Sequence, residues 1–143
     1  NANAAEVNAN LGLCELVNDN VASAEAYLSK ATGASAVNEA LGNLYIKQGQ
    51  YQRAVNAFGD AKTNSAAQAQ ILAKDYNKAK ATLEAIKNPN AMTDYLMAIV
   101  GARTNNESLV SKSLKSAIAK DASIATKAAN DREFAKFAAS ILK

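Results

Sequence analysis

Few of the side chains that usually carry out acid–base or nucleophilic chemistry are present in this sequence. The 143 residues include no histidine and one cysteine, Cys14. Histidine is the commonest general base, and histidine and cysteine are the usual zinc ligands. The 13 acidic residues are scattered, and no pair of them recurs at helical spacing inside an apolar segment. The sequence therefore predicts a protein that is not an enzyme and that holds no metal or cofactor.

The motifs and charges of other functional classes are also missing. There is no glycine-rich phosphate loop and no serine-centred nucleophile elbow. Cys14 lies inside the apolar stretch LGLCELV, which favours a buried, inert thiol. The net charge is +3, but acidic and basic residues are interspersed, which argues against nucleic-acid binding. The basic residues of the last third fall at helical spacing, which predicts a solvated face: Lys112, Lys115, Lys120, Lys127, Arg132, Lys136 and Lys143.

The sequence shows neither a membrane-spanning stretch nor a targeting segment. No apolar run approaches the ~20 residues that a membrane-spanning helix needs. The chain begins with Asn and carries no signal peptide. We therefore expect no direct membrane insertion, and we expect the chain to be an excised or processed piece of a longer protein.

Two glycines in the stretch ALGNLYIKQGQYQRAVNAF, residues 40–58, point to the architecture. Glycine inside a helix costs about 1 kcal/mol relative to alanine, so each glycine needs a geometric reason. Apolar residues at helical spacing on either side of Gly49 indicate two amphipathic helices, with Gly49 as a left-handed turn residue between them. Gly42 falls inside the first helix, where a glycine allows the close approach of another helix.

The same pattern recurs along the chain. Leu11, Gly12, Ala24, Leu28 and Ala31 match positions 30 residues later, and Tyr76, Ala79, Leu83 and Ile86 match positions 25 residues earlier. A looser copy contains Val110, Leu114 and Ala117. Four self-similar units predict an array of helical hairpins.

This pattern resembles the tetratricopeptide repeat (TPR) family. The unit at residues 35–66 carries the family's Leu-Gly, Tyr, Ala, aromatic and Ala positions, whereas the usual Trp position holds Asn38. The resemblance implies an all-α, TPR-like α-α superhelix of about four hairpins with C-terminal capping helices, forming a single domain over residues 1–143. The matching residues are Leu41, Gly42, Tyr45, Ala54, Phe58 and Ala61.

The spacing and the resemblance together predict helix bounds. We expect helical pairs at 4–18/21–31, 35–48/51–63, 65–73/76–87 and 90–103/106–120, followed by helices at 122–129 and 131–142. The first helix of the third pair must be short, about two turns. Pro89 stops one helix and leaves Asn90 to cap the next. Asp121 and Asp131 are N-cap candidates, and Phe134, Phe137 and Ile141 give the last helix an apolar face.

In TPR proteins the first helices of successive pairs line a concave groove that binds peptides, so the resemblance implies a binding surface here. In this register the polar or aromatic candidates for partner contact are Asn10, Glu39, Asn43, Lys47, Gln68, Tyr95 and Arg103. Asn43, Lys47 and Arg103 have no evident packing role. The family's clamp for a chaperone's C-terminal carboxylate is absent, because its positions hold Ala9, Leu13 and Ala40.

Two functions stay open at this point. One is a protein-interaction or scaffolding module that binds a partner protein or peptide in the groove. The other is a structural spacer or assembly domain within a larger bacterial envelope protein, in which the chain's own C-terminus fills the groove. Residues 90–103 are apolar nearly all round, so either the C-terminal helices or a partner must cover them. The resemblance favours a periplasmic or outer-membrane-associated location, and a cytoplasmic one stays open.

Overall fold

A computed structural model describes residues 35–137 of the chain. Within this range the secondary structure consists of seven α-helices and one 3-10 helix, without strands, which confirms the all-helical prediction for the described residues. The predictions for the first hairpin, Asn10, Gly12, Cys14 and Ile141 lie outside this range.

The observed helices agree with the predicted pattern to within a few residues. They are α1 (Ser35–Lys47), α2 (Tyr51–Phe58), α3 (Asn64–Leu72), α4 (Tyr76–Glu84), α5 (Ala91–Arg103), α6 (Glu107–Lys120), α7 (Ile124–Asn130) and a 3-10 helix (Arg132–Phe137). The predicted ends of α2 and α4 were too late: α2 stops where Gly59 adopts a φ of 56°, and α4 stops four residues before Asn88. The predicted α-helix from residue 131 is a 3-10 helix over its described part.

Contacts divide the chain into two compact units, residues 1–61 and residues 62–143. In the described part of the first unit, α1 packs against α2. In the second unit α3 packs against α4 and α5 against α6, and α7 and the 3-10 helix follow. The single domain over 1–143 stays a prediction.

The three described hairpins share one turn geometry. Gly49, Lys74 and Asn105 follow the first helix of each hairpin with φ of 76°, 65° and 57°. In each turn this residue and its successor donate backbone hydrogen bonds to carbonyls of the last helical turn, as in a Schellman motif: Gly49 to Ile46 and Gln50 to Tyr45, Lys74 to Ile71 and Asp75 to Gln70, Asn105 to Ala102 and Asn106 to Gly101. The prediction for Gly49 is confirmed, and the other two turns reproduce it without glycine.

The residue after each left-handed residue is the N-cap of the second helix. The Asp75 carboxylate accepts from the Lys78 amide at 3.2 Å, and the Asn106 side chain accepts from the Leu109 amide at 3.1 Å. Asn90 caps α5 as predicted and forms a capping box with Thr93. Asp131 accepts from the Glu133 amide at 2.9 Å and so caps the 3-10 helix. Asp121 instead bonds Ser123 in the turn before α7 begins.

Lys74 carries backbone strain that glycine would relieve. A non-glycine residue in the left-handed region costs roughly 1–2 kcal/mol. We therefore expect Lys74→Gly to raise the free energy of unfolding by about 1 kcal/mol in urea melts. Lys112→Gly, the same change at an exposed position inside α6, should lower it by about 1 kcal/mol. Equal losses for the two variants would mean that the turn at Lys74 is not strained.

In the first unit the core lies between α1 and α2. Leu44, Ala54, Val55 and Phe58 are all buried there. A Cβ placed on Gly42 would lie 2.5 Å from Cζ of Phe58, well inside van der Waals contact. The prediction that Gly42 faces the second helix of its own pair is therefore confirmed, and the phenyl ring of Phe58 is what it accommodates.

In the second unit α5 is the most enclosed helix. It contacts α3, α4, α6 and the 3-10 helix. Its residues Leu96 and Val100 join one buried cluster with Ile71 and Leu83, while other α5 residues join a second cluster with α6, α7 and the 3-10 helix. Of the two coverings that the sequence left open for this apolar helix, the structure shows the one by the C-terminal elements.

Candidate functional site

Three of the predicted partner-binding residues share one exposed face of α1. Glu39, Asn43 and Lys47 are spaced four residues apart, so their side chains follow one another along the helix surface. All three are solvent-exposed, whereas Ala40 and Leu44 between them are buried against the hairpin. We refer to Glu39, Asn43 and Lys47 as the polar stripe of α1. The stripe presents an acid, an amide and an amine in a row.

Gln68 is the candidate on α3. It is exposed, although its neighbours Ala67 and Ala69 are fully buried. Gln70, two residues on, is 1% exposed, and its Oε1 accepts no hydrogen bond in the described part of the chain. Of these two glutamines, Gln68 is thus the one that solvent or a partner can reach.

Tyr95 lies under the chain's own C-terminal residues. Its side chain is 3% exposed, and its hydroxyl donates a hydrogen bond to the carboxylate of Asp131. The Phe134 ring meets the Tyr95 ring edge to face, with centroids 5.4 Å apart. The Lys127 amine lies 4.8 Å from the centre of the same ring. A partner can contact Tyr95 only where these residues have moved away.

Arg103 contacts the same C-terminal residues. Its Nε donates to both carboxylate oxygens of Glu133, at 3.1 and 3.0 Å, and its Nη2 lies 2.5 Å from one of them. Its Nη1 reaches the Tyr76 hydroxyl at 3.5 Å. The prediction that Arg103 has no packing role is wrong, because the ion pair joins α5 to the 3-10 helix. The carboxylate that holds it lies 30 residues further along the chain.

The contacts of Tyr95 and Arg103 set their protonation states. Burial, together with the hydrogen bond to Asp131 and its negative charge, raises the pKa of the Tyr95 phenol above its ordinary value. The hydrogen bond to Glu133, and then that to Tyr76, raises the pKa of the Arg103 guanidinium. Around neutral pH the phenol is therefore a donor and the guanidinium is charged. Both groups suit carboxylate recognition.

The raised pKa of Tyr95 predicts a loss of stability in alkali. The folded protein holds the phenolic proton more tightly than the unfolded chain, so this contribution is complete below about pH 10 and is lost as the pH rises through the folded pKa. We expect Tyr95→Phe to lower the free energy of unfolding by about 1 kcal/mol at pH 7. In urea melts from pH 9 upward, the gap between parent and variant should narrow. A gap that stays constant would show that Tyr95 contributes nothing to the pH dependence.

Three basic residues predicted on a solvated face are exposed and also make specific contacts. Lys120 lies 2.8 Å from the carboxylate of Asp94, and Lys136 donates to the Asn105 side chain at 2.7 Å. With Lys127 over Tyr95, three lysines of the last third thus bind residues of α5 or of the turn after it. Helical spacing indicated exposure correctly for all three, but it could not indicate these partners.

The described residues of the first unit also form an open pocket of about 360 Å³. Leu41, Tyr45 and Arg53 contribute to its lining, together with Asn38, Asn56 and Ala57. The Arg53 guanidinium stacks 4.3 Å from the centre of the Tyr45 ring and donates to the Tyr45 hydroxyl at 3.1 Å. Arg53 also donates to Gln50 at 2.6 Å. These contacts tie α2 to α1 and give the cationic side chain of this pocket a structural role.

The described residues show neither a metal site nor a membrane span, and the chain has no recognised relatives. Residues 35–137 contain no cluster of three or more side chains suited to a metal ion. No helix in that range is long and apolar enough to cross a membrane. The chain matches no protein-family model, no curated protein and no solved structure.

The structure thus places the candidate residues in different settings. The polar stripe of α1 and Gln68 are exposed, Tyr95 and Arg103 contact residues between 127 and 134, and Asn10 lies outside the described residues. The sequence reasoning assigned Asp131 and Phe134 to a capping helix and gave Glu133 no role. The signal was present in the string DREF, which places two acidic side chains and an aromatic one within four residues.

Proposed function

We propose that this chain is a non-catalytic protein-interaction or scaffolding module of TPR-like hairpins, which binds a partner protein or peptide on the exposed faces of its first helices. The polar stripe of α1 is the observation that carries the proposal. Three hydrogen-bonding side chains of different charge lie exposed in one row, on the helix that the TPR resemblance assigns to the binding face.

The internal repetition supports the TPR-like interpretation. The residues five and nine positions after each left-handed turn residue are buried in all three described hairpins: Ala54 and Phe58, Ala79 and Leu83, Val110 and Leu114. A common turn and a common set of buried positions are what tandem copies of one hairpin produce. The superhelix and its groove belong to the proposal.

The chemistry of the stripe suits a peptide with polar backbone and mixed side-chain contacts. Asn43 can donate and accept, Lys47 donates only, and Glu39 accepts only. Charged contacts on an open surface contribute at most about 1 kcal/mol each. Recognition by this stripe alone would therefore be modest, and several hairpins would have to contribute to a stable complex.

Substitutions in the stripe test the proposal. We expect the double variant Asn43→Ala, Lys47→Glu to recover less of any partner in an affinity pull-down from the source organism, with unchanged helicity and melting temperature. The matched control is Asn77→Ala, Lys78→Glu, which makes the same changes on the exposed face of α4, a second helix. The control should recover partners at the parental yield.

Equal yields from the parent and both variants would contradict binding at α1. Lower yields from both variants would mean that the loss follows from net charge rather than from the stripe. Neither result tests the contacts between α5 and residues 131–137, because those contacts involve different side chains.

The structural spacer or assembly domain is the second candidate function. The observation that favours it is that residues 131–137 occupy the face of α5 that bears Tyr95 and Arg103, which a groove ligand would otherwise contact. In this case the C-terminal residues only complete the fold. A location in a bacterial cell envelope, as part of a larger protein, is a proposal in either case.

A further inference from the structure

The face of α5 that bears Tyr95 and Arg103 already binds a peptide, which is the chain's own 131–137 segment. Tyr95 and Arg103 are eight residues apart, so they project about 12 Å apart along the same side of the helix. Tyr95 donates to Asp131, Arg103 forms its bidentate pair with Glu133, and Phe134 packs on Tyr95. Two carboxylates and a phenyl ring are therefore recognised by three separate contacts.

The 131–137 segment contains both bound and exposed positions. Phe134 and Phe137 are buried, and Asp131 and Glu133 are partly buried, whereas the other three side chains are exposed. Of the exposed positions, Lys136 donates to Asn105 in the turn after α5. The bound positions define the pattern Asp-x-Glu-Phe-x-x-Phe. This is how a short linear motif is read by a helical surface.

Two features weaken the attachment of the segment, whose Phe134 and Phe137 are buried in the core. It forms a 3-10 helix, whose internal hydrogen bonds are weaker than those of an α-helix. The Arg103 and Glu133 side chains remain 32% and 29% exposed, so water screens their attraction. Local opening of a protein costs less free energy where the contacts that hold a segment are exposed to solvent.

We propose that this face of α5 is a binding site for partner peptides with the pattern Asp-x-Glu-Phe-x-x-Phe, and that the 131–137 segment occupies it as a competing ligand in cis. The inference rests on the proposed function and names the partner for α5. The tethered segment is present at a high effective concentration, so it lowers the apparent affinity for a free peptide. A partner that carries the pattern displaces the segment and takes over its contacts.

A separate peptide fits this site better than the same segment of a second copy. Only Asp131 separates the end of α7 from the 3-10 helix, and its carboxylate bonds the Glu133 amide in a tight turn. Exchange between copies needs a linker that can open and extend, and this connection is one residue long. The charge of the site favours a ligand that carries carboxylates, because Arg103 lies in the site and Lys127 lies over the Tyr95 ring.

The first experiment measures binding of a fluorescent synthetic peptide with the sequence of residues 130–138, NDREFAKFA, to the 143-residue chain. We expect weak binding to the parent and at least five-fold tighter binding to Glu133→Ala, because this change weakens the cis segment and leaves α5 intact. Saturating peptide should also speed amide hydrogen exchange of residues 131–137 in the parent. Equal affinities, or no change in exchange, would overturn the competition.

A charge exchange then locates the site. The chain with Arg103→Glu should lose at least ten-fold in affinity for the parental peptide compared with the Glu133→Ala chain. A peptide with arginine in place of its glutamate should restore that affinity. Failure of this restoration would overturn the assignment to α5.

Two controls test whether binding depends on the phenylalanines of the pattern and whether the ligand is a separate peptide. A peptide with both phenylalanines changed to alanine should not bind any variant, and binding of this peptide would contradict the pattern. Dimerisation of Glu133→Ala in sedimentation, in place of peptide binding, would show that the ligand is a second copy and overturn the assignment to a partner peptide. These measurements do not involve α1, so they can fail while the pull-down succeeds, and the reverse.

Discussion

Phe58→Ala is expected to lower the free energy of unfolding by about 3–5 kcal/mol, one of the two largest effects in this chain. Phe58 is 6% exposed, and its ring fills the space that Gly42 leaves on the facing helix. Removal of the ring leaves a cavity beside a residue with no side chain, so little can relax to fill it. Urea melts followed by circular dichroism measure the loss.

The control for this prediction is Gln52→Ala, an exposed position on the same helix. It should change the free energy of unfolding by less than about 0.5 kcal/mol. A loss below about 1 kcal/mol for Phe58→Ala would contradict the repeat register, which assigns Phe58 to the large-residue position of the second helix.

Gly42→Leu should be destabilising by more than about 3 kcal/mol, because the side chain would overlap the Phe58 ring. Even Gly42→Ala should destabilise, since its Cβ would lie 2.5 Å from Cζ of Phe58. This sign is informative, because Gly→Ala in an unhindered helix stabilises by about 1 kcal/mol. If Gly42→Ala is stabilising, close approach is not the reason for this glycine. The comparison with Gly12→Ala lies outside the described residues.

The other hairpins suggest a variant that should rescue Gly42→Ala. Positions seven before and nine after the left-handed residue hold Gly42 and Phe58 in the first described hairpin. They hold Ala67 with Leu83, and Ala98 with Leu114, in the other two, and each of these pairs belongs to one buried cluster. Glycine is thus paired with the larger phenylalanine, and alanine is paired with the smaller leucine.

We therefore expect the double variant Gly42→Ala, Phe58→Leu to lose less than the sum of its single variants, by at least about 1 kcal/mol. The same melts provide the measurement. Additive losses would show that the two positions do not share one space.

The sequence by itself was sufficient for the order of the helices and for the turn at Gly49. Apolar spacing, together with the TPR resemblance, predicted the helical stretches between residues 35 and 130, because the period of 3.6 residues is a local property of each segment. Gly49 and Asn90 were recognised as a turn and a cap for the same reason. Lys74 and Asn105 were not recognised as left-handed residues, since their side chains do not require that conformation and only the repeated hairpin imposes it.

The candidate site was predictable only in part. The exposure of Glu39, Asn43, Lys47 and Gln68 follows from helix register, which the sequence shows. The burial of Tyr95 and the ion pair of Arg103 do not follow from it, because Asp131 and Glu133 reach these residues across 30 or more positions of the chain. Which face of α5 the last residues contact depends on the path of the chain after α6, and no local pattern encodes that path.

The sequence thus determined that residues 35–137 form helices joined by tight turns, and that the chain contains no histidine. These properties depend on residue types and on spacings of a few residues. Only the tertiary structure decided that Phe58 fills the place beside Gly42 and that residues 131–137 lie on α5. The physical reason is that such contacts are chosen by the fit of surfaces far apart in sequence, where the volume and charge of both partners must match at once.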